Sequence, residues 1–203
     1  MLTLRASFGS PYGRKARIAV SILGLDGKVK VEPASTQDAA DPLATQNPLG
    51  KVPVLLLEDG STLFDSPVIL EYFDALAGGG KILPKDTKPR FDALRLEALA
   101  DGILDASILI VYEGRYRPAE KIVQKWVDMQ SAKVTRALAV LEAAPPGLDP
   151  VPNVGQITLA CALGYRDFRF PGTWRQNHPR LVAWLDAFAK AVPAFSATTP
   201  PPG

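Results

Sequence analysis

The sequence predicts a mixed α/β domain followed by an all-helical one. Strand-like runs at Leu2-Thr3-Leu4, Val29 to Val31, residues 52–57 and Thr62-Leu63-Phe64 alternate with helical periodicity in the first part of the chain. The helix after the first run and the helix after the fourth both begin with Ser-Pro, at residues 10–11 and 66–67. After Gly78-Gly79-Gly80 every patterned segment has the period of a helix.

Leu2-Thr3-Leu4 alternates apolar and polar, as a short strand does. Ser10 offers a helix cap and Pro11 a first helical residue, leading into a helix over 14–25 with Ala16, Ile18, Ala19, Ile22 and Leu23 apolar. Gly24 and Gly27 close that helix. Val29 and Val31 mark a second strand, and the polar stretch 37–46 a loop or irregular helix. Residues 52–57 form a third strand, Glu58-Asp59-Gly60-Ser61 a hairpin turn and Thr62-Leu63-Phe64 a short fourth strand. Ser66-Pro67 opens a helix with Ile69, Leu70, Phe73 and Leu76 on its inner face. The order βαβαββα fits a mixed four-stranded sheet with helices packed on it.

The predicted division is a first domain over 1–78, a linker over 79–88 and a helical domain over 89–203. A long helix over 90–115 carries Leu94, Leu96, Leu99, Ile103, Leu104, Ile108 and Val111 at helical spacing. Pro118 opens a second long helix reaching about Ala144, ended by Pro145-Pro146-Gly147. Asn153 and Gln156 make a capping-box start for the helix that holds Cys161. Pro179 starts a last helix through Leu181, Trp184, Leu185 and Phe188, which Pro193 ends. The tail 197–203 has no core-forming pattern.

A chain of 203 residues is long enough for a substantial core. The formal net charge of +2 comes from 23 basic and 21 acidic residues with no Lys/Arg run, which argues against a nucleic-acid partner. The single cysteine, Cys161, cannot form an internal disulfide, and in the apolar run 157–163 it reads as a small buried hydrophobe rather than a reactive thiol. With one histidine as well, a Cys/His zinc site is excluded. No start resembling a signal peptide and no apolar stretch of membrane-spanning length is present, so a cytoplasmic protein without a membrane partner is the expectation.

Three stretches concentrate the chemistry: Gly9-Ser10-Pro11-Tyr12, then Asn47-Pro48-Leu49-Gly50-Lys51-Val52-Pro53-Val54-Leu55, then Asp65-Ser66-Pro67. An apolar strand entered through a Val-Pro bond stands between two Ser-Pro helix starts, a combination suited to a small peptide-like anion. It resembles the glutathione transferase family, whose amino-terminal domain is thioredoxin-like. Residues 10–17, Ser-Pro-Tyr-Gly-Arg-Lys-Ala-Arg, are similar to the starts of serine-type members. Residues 98–106 and 178–185 are similar to a bacterial group of that type. Pro193-Ala194-Phe195 followed by Thr-Pro is similar to a common family ending.

The resemblance implies transfer of glutathione sulfur to a small electrophile, in detoxification, by a symmetric homodimer that needs no cofactor besides glutathione as co-substrate. It makes Ser10 the catalytic residue: at the mouth of the first helix, its hydroxyl donates to the thiolate where the helix dipole favours an anion. Read without the resemblance, Ser10 is a plain N-cap. Tyr12 is the competing hydroxyl, otherwise a pocket-lining ring. The resemblance also gives Val52-Pro53 as a cis-proline turn whose Val52 backbone pairs with the cysteinyl amide of glutathione. A proline at a strand start is the other reading. Lys51 reaches the glycine carboxylate or is a solvated surface lysine. Ser66 binds the γ-glutamyl carboxylate and Asp65 its ammonium, or the two are an acidic residue and a cap at a helix start. Asp101 approaches the γ-glutamyl end from a dimer partner, or is an ordinary helix-surface aspartate. Phe8, Tyr12, Ala106, Ile110 and Tyr165 are candidates for the electrophile pocket, where an apolar stripe at helical spacing equally describes plain core. Glutathione-dependent reduction of peroxides or disulfides and a non-catalytic glutathione-binding regulator are the alternative functions. Serine at position 10 argues against an enzyme-bound mixed disulfide.

Overall fold

Leu2, Leu4 and Ala6 are buried and alternate with Thr3 and Arg5, which makes the start of the chain a strand, β1 (Leu2–Ala6). A computed structural model, which describes residues 1–201, sets β1 inside a four-stranded sheet of order β2-β1-β3-β4. β2 (Val29–Pro33) runs parallel to β1 with Val31 opposite Leu4. β3 (Val54–Leu56) runs antiparallel to β1 with Leu55 opposite Leu4, and β4 (Thr62–Leu63) antiparallel to β3. Helix α1 (Pro11–Ile22) joins β1 to β2, α2 (Leu43–Gln46) precedes β3, and α3 (Ser66–Leu76) follows β4. The expected βαβαββα order is the observed one.

Several boundaries differ from the sequence pattern. α1 starts at Pro11 behind the Ser10 cap, as expected, but ends at Ile22 rather than 25. Gly24 ends it in the left-handed region at φ 65°. β3 begins at Val54 rather than 52, since Pro53 has no N–H to give a ladder. The Gly78-Gly79-Gly80 turn folds over a buried carboxylate. Asp74 accepts from the N–H groups of Gly80, Lys81 and Ile82 at 2.7, 2.8 and 2.8 Å.

The rest of the described chain is helical: α4 (Thr87–Tyr116), α5 (Gln124–Ala143), α6 (Val154–Arg169), α7 (Pro179–Ala191) and α8 (Pro193–Ala197). Pro118 does not open α5. It precedes a single 3-10 turn at Ala119–Lys121, and α5 starts only at Gln124. The buried Glu113 carboxylate accepts from the Val123 N–H, so the connection is pinned back on α4 before the new helix begins. Pro193 ends α7 and also starts α8, where its fixed φ suits a first turn. The tail docks through polar groups rather than apolar ones. Thr198 is buried, accepts from Arg14 Nε at 3.3 Å and donates to the Ala194 carbonyl at 2.7 Å. Pro202 and Gly203 lie outside the described residues.

α6 is the centre of the helical part, buried from Val154 through Arg166. Its capping box is formed: Gln156 N–H donates to Asn153 Oδ1 at 3.1 Å and Asn153 N–H to Gln156 Oε1 at 2.9 Å. A Cβ on Gly155 would stand 2.6 Å from the Ala93 carbonyl of α4, so only glycine allows this close approach. Cys161 is fully buried, and burial pushes its thiol up to about 11, the behaviour of an inert core residue. No described helix is long and apolar enough to cross a membrane.

Asp74→Ala removes one charged acceptor and strands three N–H groups, that of Ile82 buried. The expected loss is about 3 kcal/mol of stability, measured by urea unfolding, with Asp74→Asn losing part of it.

Candidate functional site

The strand directions bring the three sequence stretches to one edge of the sheet. Arg5, near the carboxyl end of β1, faces Val54 at the start of the antiparallel β3. Leu63, at the end of β4, faces Leu55 near that same end. The turn into α1 with Ser10, the Val52-Pro53 pair before β3, and the turn into α3 with Asp65 and Ser66 therefore share one rim.

Ser10 is the N-cap of α1. Its Oγ accepts from the Gly13 N–H at 3.3 Å, so the cap reading is correct as geometry. The hydroxyl hydrogen remains free to donate outward, at the positive end of the helix. α1 comes close to β1 here: a Cβ on Gly13 would stand 3.0 Å from Ala6 Cβ.

The Val52–Pro53 bond is cis, as is Phe64–Asp65. The β1–β3 ladder starts with Arg5 opposite Val54, leaving the Val52 amide and carbonyl outside it. The loop before them is held by Asn47, which is buried; its Nδ2 donates to the Lys51 carbonyl at 2.9 Å and its Oδ1 accepts from Leu49 N–H at 3.0 Å. The Lys51 side chain is exposed. Asp65 caps α3 through its backbone only, so its exposed carboxylate is not used up as a cap. Ser66, in the first turn, is buried.

Behind this rim lies a buried charge cluster. Lys15 of α1 is fully buried, and its Nζ donates to Asp101 at 2.8 and 2.9 Å and to Glu97 at 3.3 Å, both on α4. Burial pushes the Glu97 and Asp101 carboxyls above the ordinary range; Lys15 pulls them down, and the nearby Asp65 charge adds to the rise. One cation thus faces two carboxylates, with the Asp65 charge close enough to act on both, an excess of negative charge near the start of α3. Asp101 is held inside its own chain by Lys15.

Tyr12 donates its hydroxyl to Asp105, and burial followed by that carboxylate drives the phenol far above its ordinary value. A phenol so held is a wall of the site rather than a second thiolate donor. Tyr165 is buried close enough to influence Tyr12, and packs edge-on to Phe168 at 6.5 Å. Ala106 belongs to the core, Ile110 is half-buried, and Phe8 is exposed with the Arg17 guanidinium 4.8 Å above its ring. Two clefts lie elsewhere, one against Met1, Glu58 and Tyr72, the other against Arg14, Phe195 and Thr199.

Residues 9–76 match the family model for the glutathione S-transferase N-terminal domain, and residues 124–187 the model for its C-terminal domain. The chain belongs to the glutathione S-transferase family. It is 37% identical to the GST-like protein YibF of Escherichia coli over 98% of this chain and 99% of that protein. A glutathione transferase family member from Pseudomonas fluorescens Pf-5, solved with bound glutathione, is 41% identical with a TM-score of 0.90 over 99% of this chain and 100% of that one. A structure of that family member with bound S-(propanoic acid)-glutathione gives a TM-score of 0.87 at the same identity and coverage.

The residues missed from the sequence are the buried ones behind this rim. Lys15 sits at an inward position of α1, in register with Pro11, Ile18 and Ala19, all buried. A lysine in an apolar register was the available signal. Glu97 carried the same signal on α4, four residues before Asp101.

Lys15→Met leaves two buried carboxylates unpaired, and urea unfolding is expected to show a loss of roughly 3–5 kcal/mol. Adding Glu97→Gln and Asp101→Asn should restore much of it. A carboxyl with a raised folded pKa binds its proton more tightly in the folded state. Stability is therefore expected to fall as pH rises from about 4 through the folded values, and Glu97→Gln to flatten that fall.

Proposed function

We propose that the protein is a serine-type glutathione transferase that joins the glutathione thiolate to small electrophiles. The observation that carries this reading is the shared rim: a free hydroxyl at one helix N-terminus, a second at another, and between them a backbone segment outside its ladder. Ser10 Oγ–H donates to the sulfur, and the α1 N-terminus favours its negative charge. The Val52 backbone pairs with the cysteinyl amide as a short added strand, following the cis Pro53 turn. Ser66 and the α3 N-terminus take the γ-glutamyl carboxylate. Asp65 takes the ammonium, with the negative excess around Asp101 behind it. Lys51 takes the glycine carboxylate.

The thiolate attacks directly. A sulfur–carbon bond forms, and either a leaving group departs with its bonding pair or the C=C pair of an activated alkene shifts to the neighbouring carbon and takes a proton from solvent. The sulfur-alkylated glutathione in the Pseudomonas relative supports this chemistry for this chain. The same reading gives a glutathione-binding domain over 1–78, a linker over 79–88 and a helical domain over 89–203. It gives a homodimer acting in cytoplasmic detoxification.

Titration calorimetry with glutathione and with ophthalmic acid, its thiol-free analogue, is expected to show binding of both. Ser10→Ala should keep most of the affinity for glutathione while turnover falls by about 100-fold, the usual effect of removing one preorganised donor to a developing or stabilised anion. Unchanged turnover would move the thiolate contact to a backbone donor or water.

A further inference from the structure

Most arginines packed around α1 and α6 have assigned partners. Arg14 donates to the Phe195 carbonyl at 2.6 Å and to Thr198. Arg166 donates to Ser107 and Thr173. Arg175 pairs with Asp167 at 2.6 Å. Arg17 of α1 has no carboxylate partner either; its Nη1 is buried without a hydrogen bond and its guanidinium lies over Phe8. Arg169, at the carboxyl end of α6, is the one that ends against Gly9. Among the described residues no carboxylate lies within ion-pair distance of it. Its Nε is buried without a hydrogen-bond partner, and its guanidinium lies 4.0 Å over the Phe168 ring.

The position of Arg169 is as informative as its lack of a carboxylate partner. Its Nη2 stands 3.6 Å from where a Cβ on Gly9 would lie, one residue before Ser10. It also stands beside Tyr165, whose hydroxyl burial pushes up while the charge of Arg169, its hydrogen bond to that hydroxyl and the charge of Arg115 pull it down. Arg115 lies 5.6 Å from the Tyr112 ring and has no carboxylate partner among the described residues. The acidic group on this side is Asp105, which accepts the Tyr12 hydroxyl. One guanidinium without a counter-ion, Arg169, therefore ends beside the residue before Ser10, and a second, Arg115, acts on the same Tyr165.

We propose that Arg169 reads a carboxylate, or an anion of like shape, on the electrophile, so that the preferred substrates of this protein are acidic. The inference rests on the glutathione transferase reading and names the substrate class of that site. A planar guanidinium takes a carboxylate through paired N–H donors, and a partly buried one holds it more strongly than an exposed one. The carboxylate sits a few bonds from the carbon that sulfur attacks, because Gly9 and Ser10 are adjacent. Arg115 adds attraction from the end of α4. In the addition step the sulfur–carbon bond forms, the C=C pair moves to the neighbouring carbon, and solvent supplies the proton; the carboxylate is unchanged.

Titration calorimetry with two product analogues that differ only in charge tests this. S-(2-carboxyethyl)glutathione carries the anion and S-(2-carbamoylethyl)glutathione a neutral amide, with glutathione as reference. Wild type is expected to favour the carboxyethyl compound by roughly 10-fold or more, the size of one charge-assisted hydrogen-bonded contact. Arg169→Gln should bring that ratio close to one, and Arg169→Lys should keep part of it. The bound glutathione thiol pKa, read by thiolate absorbance, should be alike in wild type and Arg169→Gln. Equal binding of the two analogues by wild type, or a preference that survives Arg169→Gln, overturns the proposal while leaving the glutathione site standing. A raised thiol pKa in Arg169→Gln without a change in ratio makes Arg169 a thiolate stabiliser and also overturns it. Failure of glutathione itself to bind overturns the underlying reading together with this one.

Discussion

The two parts of this chain are joined by a fully buried lysine. Lys15 leaves α1 and ends between Glu97 and Asp101 of α4, so one ammonium spans the boundary between the sheet-bearing and the helical regions. A buried ion pair is a poor source of net stability, because desolvation offsets much of its attraction. Its contribution is geometric. Neither carboxylate is satisfied unless α1 and α4 hold one relative position, and Ser10 caps α1 little more than a turn before Lys15. The orientation of the proposed catalytic hydroxyl is thus tied to the seating of the helical region.

The same cluster shapes the electrostatics of the rim. One lysine against Glu97, Asp101 and the nearby Asp65 leaves negative charge where the proposal puts the ammonium of the tripeptide. Beside Gly9 and Tyr165 the balance differs, with Arg169 and Arg115 lacking carboxylate partners among the described residues. A net charge of +2 over the whole chain conceals this division, since the sign separation is local. Glutathione with an acidic substituent on sulfur, basic at its γ-glutamyl amine and anionic at the other end, matches that polarity.

Much of the architecture was legible in the residues because local chemistry decided it. Period-two burial in Leu2–Ala6, the Ser10-Pro11 and Ser66-Pro67 helix starts and the Asn153/Gln156 capping box are short-range features, and each formed as expected. The misreadings came where a distant group intervened. Pro118 has a helix-starting sequence, but Glu113 takes the Val123 N–H and delays α5 by a turn. Thr198 lies in a tail without apolar pattern, yet Arg14, on α1, draws it into the interior. Asp74 gave no sign that three N–H groups from a later turn would converge on it.

The sequence by itself determined the order of strands and helices and nominated Ser10, Val52, Asp65 and Ser66, since helix caps and X-Pro bonds act on their immediate neighbours. Only the tertiary structure decided that these stretches share one end of the sheet, because that follows from strand direction and pairing register. It alone decided which charges are paired. Lys15 and Arg169 are both basic residues on amphipathic helices, and nothing local separates them. One is closed in by two carboxylates from α4; the other ends against the glycine before Ser10 with no anion of its own. Pairing depends on which helices meet and at what angle, and that is settled by packing of the whole chain.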